Sequence, residues 1–380
     1  MPTLKRKILF TSHTANFHKF NRAPMRMLRG KLEAPYDDLN IGGWSVDYAS
    51  ANEEKIYDAN RVFEVDFARN PLQIHKLIKS YSQLKTILRE NNYDAIHTHT
   101  PVGSVITRLA AKSLRKKGNL KVIYTCHGFH FYKGAPKLNW LIYYSIEKMM
   151  ARYTDLLITI NTEDYECAKK HFSCPVKLIN GVGIDTTKFN TKLSKSKKSS
   201  LRKEIGLDDD DFTVVYVAEF TKNKNHKMLL ESIAGPMHKN KNLKLVLLGV
   251  GKMFNEMGVL AKKLGIDNQV LFLGYRNDVH EVLQCCDLCV STSIREGLGL
   301  GVLEAILCGC SVLISNNRGH RDIVDGNKKY LFELGDNDAL EKKIIKAIKN
   351  PEEYNIKFSE KFSLRSSLAT MREIYEELLG

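Results

Sequence analysis

Two glutamates, Glu296 and Glu304, bracket the stretch Glu296-Gly-Leu-Gly-Leu-Gly-Val-Leu-Glu304. The glycines at 297, 299 and 301 lack a Cβ, so the backbone there can turn tightly and approach a ligand closely. Val302 to Cys308 reads as a helix, whose free N–H groups and positive dipole end face the glycine turn and favour a phosphate. The two carboxylates are suited to accept hydrogen bonds from hydroxyls. Phosphate donors beside hydroxyl acceptors fit a sugar nucleotide. Gly-x-Gly-x-Gly at this place is not the dinucleotide fingerprint Gly-x-Gly-x-x-Gly after a first strand, which argues against a Rossmann oxidoreductase.

The elements around this turn alternate short β-branched apolar runs with longer helical ones, the pattern of α/β layers with parallel sheets. In the first half, strands are predicted over 7–12, 44–49, 95–98, 121–125, 156–160 and 177–179, with helices over 74–91, 103–117 and 138–153. Residues 191–200, Thr-Lys-Leu-Ser-Lys-Ser-Lys-Lys-Ser-Ser, are polar, basic and aperiodic and read as a loop or linker. The rhythm then restarts, with strands over 213–218, 243–249, 270–273, 288–291 and 311–315 and helices over 227–233, 252–264 and 302–308. The division expected is a domain over 1–190, a basic linker over 191–203, a second domain over 204–360 and a C-terminal helix over 361–380 that could cross back to the first domain. Two doubly wound Rossmann-like domains facing across a cleft would place a site at the carboxyl ends of the strands.

Composition bounds the partners. The chain has 380 residues, is 43% apolar and carries a formal charge of +15. Residues 1–190 hold 29 Lys and Arg against 17 Asp and Glu, and residues 201–380 hold 25 against 26, so the basic character lies in the first half. An anionic membrane surface with a lipid phosphate would exploit it. No paired zinc ligands or RNP-type aromatic motif point to nucleic acid. No apolar run is long enough to span a bilayer, and Ile8-Leu9-Phe10 is too short for a signal peptide. The expected location is cytoplasmic, peripheral on the inner face of the membrane. Eight cysteines include Cys286-x-x-Cys289, but with no second pair at zinc-ribbon spacing they read as buried thiols. No metal ligand set and no cofactor beyond a co-substrate is expected.

The motifs together resemble family 4 retaining glycosyltransferases of the GT-B fold. Ser293-Ile-Arg-Glu296 through Glu304-Ala-Ile-Leu-Cys-Gly309 is similar to that family's E-x7-E signature. Asn223-Lys224-Asn225-His226 looks like its lysine turn, Gly249-Val-Gly251 its next glycine turn, and Gly274-Tyr-Arg276 the turn near the base. His97-Thr-His99, His127-Gly-Phe-His130, Asn180-Gly-Val-Gly-Ile-Asp185 and Arg318-Gly-His-Arg-Asp322 resemble the capsular and exopolysaccharide branch.

The resemblance implies roles. Lys224 would hold the donor diphosphate, Glu304 the ribose hydroxyls, and Glu296 the transferred sugar, helped by backbone N–H groups around Gly299, Leu300 and Gly301. His127 would sit over the sugar near the reacting carbon. Gly249, Gly251 and Arg276 would lie near base and ribose, and Arg321 could aid the diphosphate. A satisfied core histidine is the other reading of His127; His97 and His99 alternate at strand spacing, so one of them faces inward, and His320 and Arg321 either touch the donor or line the cleft. The reaction implied is metal-independent, retaining transfer of a sugar, of N-acetylhexosamine type, from a UDP-sugar to a polyprenyl-diphosphate-linked saccharide. Two other readings stay open: an epimerase or phosphorylase on the same architecture, and a non-catalytic nucleotide-sugar-binding subunit. Two positions depart from the family pattern. Glu219 stands where the family has an arginine, and Ser12-His-Thr-Ala-Asn-Phe17 lacks the usual glycine pair.

Overall fold

A computed structural model of the chain describes residues 6–51, 56–68, 70, 72–189 and 192–379. Expectations that touch residues 1–5, 191 and 380 lie outside the described residues. The chain divides into two compact units, residues 1–183 with 364–380 and residues 184–363.

The first unit is a seven-stranded sheet: β1 (Lys7–Thr11), β2 (Ser45–Ser50), β3 (Arg61–Glu64), β4 (Ala95–His99), β5 (Lys121–Cys126), β6 (Leu156–Thr159) and β7 (Val176–Leu178). Their spatial order is β3-β2-β1-β4-β5-β6-β7, and every pairing is parallel. Alternate residues feed opposite faces. Ile8 and Phe10 enter one apolar cluster and Leu9 the other. The C-terminal helix Leu364–Leu379 belongs to this unit. It buries Leu368, Met371, Ile374 and Tyr375 against the cluster of Ile8 and Phe10. The Tyr375 hydroxyl lies 2.7 Å from His97 Nδ1, and Ser367 Oγ donates to Gly181 O at 3.0 Å.

The second unit contains β8 (Phe212–Val217), β9 (Leu243–Leu248), β10 (Val270–Gly274), β11 (Leu288–Ser291), β12 (Ser311–Ser315) and β13 (Leu331–Phe332). Their order is β10-β9-β8-β11-β12-β13, again all parallel. Val214 and Tyr216 point to one core and Val215 to the other, as do Leu245 and Leu247 against Val246. Helices cover both faces, which explains why these strands read as unbroken apolar runs. In both sheets the order reverses beside the first strand, at β1/β4 and at β8/β11. Doubly wound sheets bind ligands at the carboxyl side of that switch point.

The linker reading needs correcting. Lys195–Glu204 is a helix of the second unit, started by Ser194 Oγ, which accepts from Lys197 N at 3.2 Å. Its anchors are Leu201 and Ile205, both buried, one turn apart and beyond the lysine run. Buried Arg202 donates to the carbonyls of Cys285 (2.6 Å), Asp208 (2.7 Å) and Asp211 (2.7 Å). The helix expected over 138–153 is present as one continuous run over Lys137–Ala151, with a π-helical turn at Trp140–Tyr144.

Candidate active site

At the β8/β11 switch point, the loops that leave the two strands are laced together. Ile294 N donates to Asn223 O (2.8 Å), and Asn223 Nδ2 donates to Arg295 O (2.9 Å). Thr292 Oγ1 donates to Asn225 O (2.9 Å), and the Tyr216 hydroxyl to Lys224 O (2.9 Å). These bonds fix the backbone that carries Lys224, whose ammonium donates to the Glu296 carboxylate. The pair lines a pocket of about 30 Å³, with Ser291, Gly299, Leu300, Gly301 and His320 among the other walls. The helix Leu300–Leu307 starts at this pocket. Gly299 precedes it at φ 111 with no side-chain cap, so its first N–H groups and its dipole are free for an anion. A Cβ at Gly301 would meet Val217 O at 3.0 Å, which explains that glycine by close approach of the helix to β8.

Glu304, one helical turn beyond Leu300, opens instead onto a pocket of about 470 Å³ with Lys188, Phe189, Asn277, Val279 and His280. Val217 lines both pockets, so they share a wall. The two carboxylates differ electrostatically. Burial pushes Glu296 up, but the Lys224 charge, His320, and hydrogen bonds from Lys224 and Ser293 outweigh it, so its carboxyl stays below the ordinary range. Glu304 has no such compensation, and burial alone raises it to about 7. A carboxyl raised on folding favours the folded state when protonated, and that benefit is lost as pH climbs through the folded value. Ionised Glu304 therefore costs stability above pH 7, about 1 kcal/mol once its partial exposure is allowed for. Glu304→Gln, which cannot ionise, should raise Tm by about 2–4 °C at pH 8 and leave it unchanged at about pH 4, below the unfolded carboxyl's value, in thermal melts.

The remaining predicted residues fall in different places. Arg276 donates to both oxygens of Asp278 (2.7 and 2.5 Å) and approaches Glu204 at 3.5 Å. Its neighbours Asn277 and Val279, not its own side chain, line the second pocket. Gly249 and Gly251 answer to backbone packing: an added Cβ would lie 2.1 Å from Ala218 O and 2.5 Å from Phe220 O, respectively. Arg321 donates to Asn316 Oδ1 at 3.0 Å, while buried Arg318 donates to Glu296 O at 3.4 Å. Glu219 is exposed. His127 belongs to the first unit, half-buried at the end of β5. Its Nε2 lies 3.2 Å from His99 Nδ1, and its ring meets Phe17 edge-on at 4.8 Å. Burial brings it down to about 4, so it is neutral at pH 7.

Pattern reasoning missed Tyr216 and Ser291, and left His320 between two readings. His320 Nδ1 lies 2.9 Å from both Ser315 O and Asn317 Nδ2, and its Nε2 lies 3.4 Å from Ser291 Oγ. Burial lowers it to about 4. A polar residue within a strand core, such as Tyr216 in Thr-Val-Val-Tyr-Val, was the available signal. Among the described residues, no three His, Cys, Asp or Glu side chains gather as metal ligands would.

The switch point of this doubly wound unit offers a lysine, a glycine turn and an open helix start, a chemistry that suits a phosphorylated ligand. Comparison with known proteins identifies the family. The glycosyl transferases group 1 family matches residues 197–362, and the glycosyl transferase 4-like family matches residues 7–161. EpsD of Bacillus subtilis, named as a glycosyltransferase, is 40% identical over 342 residues, covering 88% of this chain and 89% of the relative. The UDP-Gal:alpha-D-GlcNAc-diphosphoundecaprenol alpha-1,3-galactosyltransferase of Escherichia coli is 29% identical over 74% of this chain and 73% of its own length. The crystal structure of Anabaena HepE in complex with UDP-glucose superimposes with a TM-score of 0.76 at 20% identity, over 98% of this chain and 100% of that one. The chain belongs to the family 4 glycosyltransferases and has the GT-B fold.

Proposed function

We propose that this glycosyltransferase is a retaining, metal-independent enzyme. It moves a sugar from a UDP donor to a polyprenyl-diphosphate-linked saccharide in capsular or exopolysaccharide synthesis. The observation that carries this reading is the Lys224–Glu296 pair beside the uncapped start of Leu300–Leu307. A nucleoside diphosphate leaves only if its developing charge is neutralised. Lys224 and the helix N–H groups meet that charge, Glu296 accepts from hydroxyls of the transferred sugar, and Glu304 accepts from the ribose in the adjoining pocket. The C1–O bond to the diphosphate breaks, the acceptor oxygen bonds to C1 on the same face, and the acceptor proton passes to the departing phosphate oxygen. Glu296 and Glu304 are donor-holding groups here, not the acid and nucleophile of a retaining glycosidase.

The Escherichia coli relative's name supports a lipid-diphosphate acceptor, and HepE's complex supports a UDP-sugar donor. UDP-N-acetylhexosamines are the first donors to test, with UDP-galactose beside them. Thermal shift against a panel of UDP-sugars should show selective stabilisation by one through mass action. UDP release that requires a lipid-linked acceptor then separates a transferase from an epimerase. A nucleotide-sugar-binding subunit would bind and release nothing. Stabilisation by no UDP-sugar would sink the proposal.

The membrane part rests on the 137–151 segment. Tyr144 packs on Phe131 at 5.4 Å and serves the core, while Trp140 meets the same ring at 5.4 Å and stays partly exposed. Leu138, Leu141, Ile142 and Met149 are left exposed near Lys133, Lys137 and Lys148, which are also exposed. An apolar stripe among cations suits an anionic interface. Among the described residues no helix is long and apolar enough to cross a membrane. Leu138→Glu with Leu141→Glu should reduce co-sedimentation with anionic vesicles at least tenfold without lowering Tm. Unchanged sedimentation would remove this segment from the account.

A further inference from the structure

His99 ends β4, and His127 follows β5, the next strand of the sheet. Both stand at carboxyl ends of strands beside the β1/β4 switch point of the first unit, where a doubly wound sheet meets its ligand. His99 is 2% exposed. Its ring lies nearly parallel to Phe10 at 6.0 Å, tilts against His97 at 4.3 Å and meets Phe17 at 5.9 Å. Its Nδ1 lies 3.2 Å from His127 Nε2. Its Nε2 is sealed from solvent and, among the described residues, has no hydrogen-bond partner. His97 cannot serve as one, because its two nitrogens are engaged by Tyr375 and Thr125.

Burial holds His99 well below the ordinary histidine range and brings His127 down to about 4, so at pH 7 each ring carries a single N–H. The shared hydrogen bond can then run in either of two directions. If His127 Nε2 donated, His99 Nδ1 would accept, and the His99 proton would sit on Nε2 as a buried N–H with no acceptor. If His99 Nδ1 donates, Nε2 keeps only a lone pair. Buried donors are left bare more rarely than buried acceptors, which decides for the second direction. His127 Nε2 then accepts from His99, and the His127 proton is on Nδ1. That nitrogen has no protein partner among the described residues and, unlike His99 Nε2, is open to solvent.

We infer that His99 is a positioning residue, which locks His127 in the tautomer that presents Nδ1–H to an oxygen of the substrate. The substrate part of this inference rests on the transferase reading; the tautomer part rests on the first unit alone. The lock gives His127 a defined role in transfer. With Nε2 filled by His99 and Nδ1 protonated, the ring has no lone pair left to take a proton. His127 therefore stabilises charge on an oxygen by donating to it and is not the general base. That agrees with an acceptor proton that passes to the departing phosphate oxygen.

The test is a ring 15N–1H correlation spectrum of the full chain labelled at histidine, recorded at pH 7 and assigned with His127→Gln. The His127 ring should show a pyrrole-type Nδ1 and a pyridine-type Nε2. The reverse pattern overturns the inference. His99→Phe keeps the packed ring and removes the donor. It should stay folded, shift the His127 proton toward Nε2 and lower kcat for transfer about tenfold, roughly the worth of one hydrogen bond. The UDP Kd should stay within about twofold of the parent, since the proposed diphosphate contacts all belong to the second unit. His99→Asn places an amide N–H where Nδ1 stood and should restore the tautomer and most of kcat. A folded His99→Phe with the parent's tautomer and kcat overturns the role of His99, and so does a loss that His99→Asn fails to restore. If His99→Phe does not fold, the parent spectrum and His99→Asn decide. The spectrum needs no substrate, so the expected tautomer in a protein that transfers no sugar would sink the transferase reading and leave the lock supported.

Discussion

Lys224→Ala should lower kcat/KM for sugar transfer about a thousandfold while leaving a folded protein. Removing one neutral donor to a developing charge typically costs 10²–10³ in rate, and a charged donor is roughly twice as strong. The turn itself survives, because its backbone is held by Tyr216, Thr292 and Ile294 rather than by the ammonium. What changes is Glu296, which loses the charge that holds its carboxyl below the ordinary range. A lowered carboxyl stabilises the fold above its unfolded value and loses that contribution as pH falls through the folded one. The variant should therefore show a flatter dependence of Tm on pH between 3 and 6. Glu296→Gln should behave differently. It frees the ammonium for the diphosphate, so UDP binds more tightly, while the sugar keeps only a neutral amide oxygen in place of a charged acceptor and kcat falls. The double variant should fall well short of the product of the two losses, since the residues act as a pair. Single-turnover rates and UDP titrations of the four proteins check this. Transfer within tenfold of the parent in Lys224→Ala would remove the lysine from the chemistry.

The architecture was legible because both sheets are parallel and covered on two faces. Runs such as Leu243–Leu248 and Ser311–Ser315 then carry a continuous apolar signal with clear ends. Elements that lean on one or two anchors were not. Lys195–Glu204 has a mostly solvated lysine and serine face and holds on through Leu201, Arg202 and Ile205, which the basic run hides. β3 and β13 are edge strands of four and two residues, with no periodicity to detect. The site divides the same way. Lys224 stands on the loop after β8, and Glu296 with the glycine turn on the loop after β11; both have distinctive residue types, and the structure brings them to one pocket. Glu304 lies one helical turn further and opens onto a different pocket, a separation that eight residues of sequence did not reveal. Arg276 was read as a ligand contact but is claimed by Asp278, two residues away, a pairing decided by loop conformation. Tyr216, Ser291 and His320 converge only through the β8-β11-β12 neighbour relation, which no local pattern encodes.

The glycine turn after β9 is where backbone geometry should weigh most on stability. Gly249 sits at φ 135, a region closed to L side chains, and a Cβ there would lie 2.1 Å from Ala218 O and 2.9 Å from its carbonyl carbon. Both obstacles are backbone atoms of the residue that follows β8, so no rotamer change relieves them. Relief requires β8 and β9 to part at the end that leads to Lys224. Gly249→Ala should thus cost about 3–5 kcal/mol, combining backbone strain with the displaced strand end. For a unit of this size that is a fall in Tm of about 6–15 °C. Gly274→Ala separates the two causes. Gly274 O accepts from Gly249 N at 2.7 Å, so it lies at the same turn, and its φ of 66 is also left-handed. Nothing lies within 4 Å of its Cβ direction. Strain alone then predicts a loss of only about 1–2 kcal/mol. Calorimetry of the two variants with and without UDP decides the matter. A collision at the strand end should weaken UDP binding in Gly249→Ala along with the melt, whereas Gly274→Ala should keep its UDP affinity. Equal destabilisation of the two would show that φ, rather than the approach of β8 to this turn, makes glycine necessary at 249.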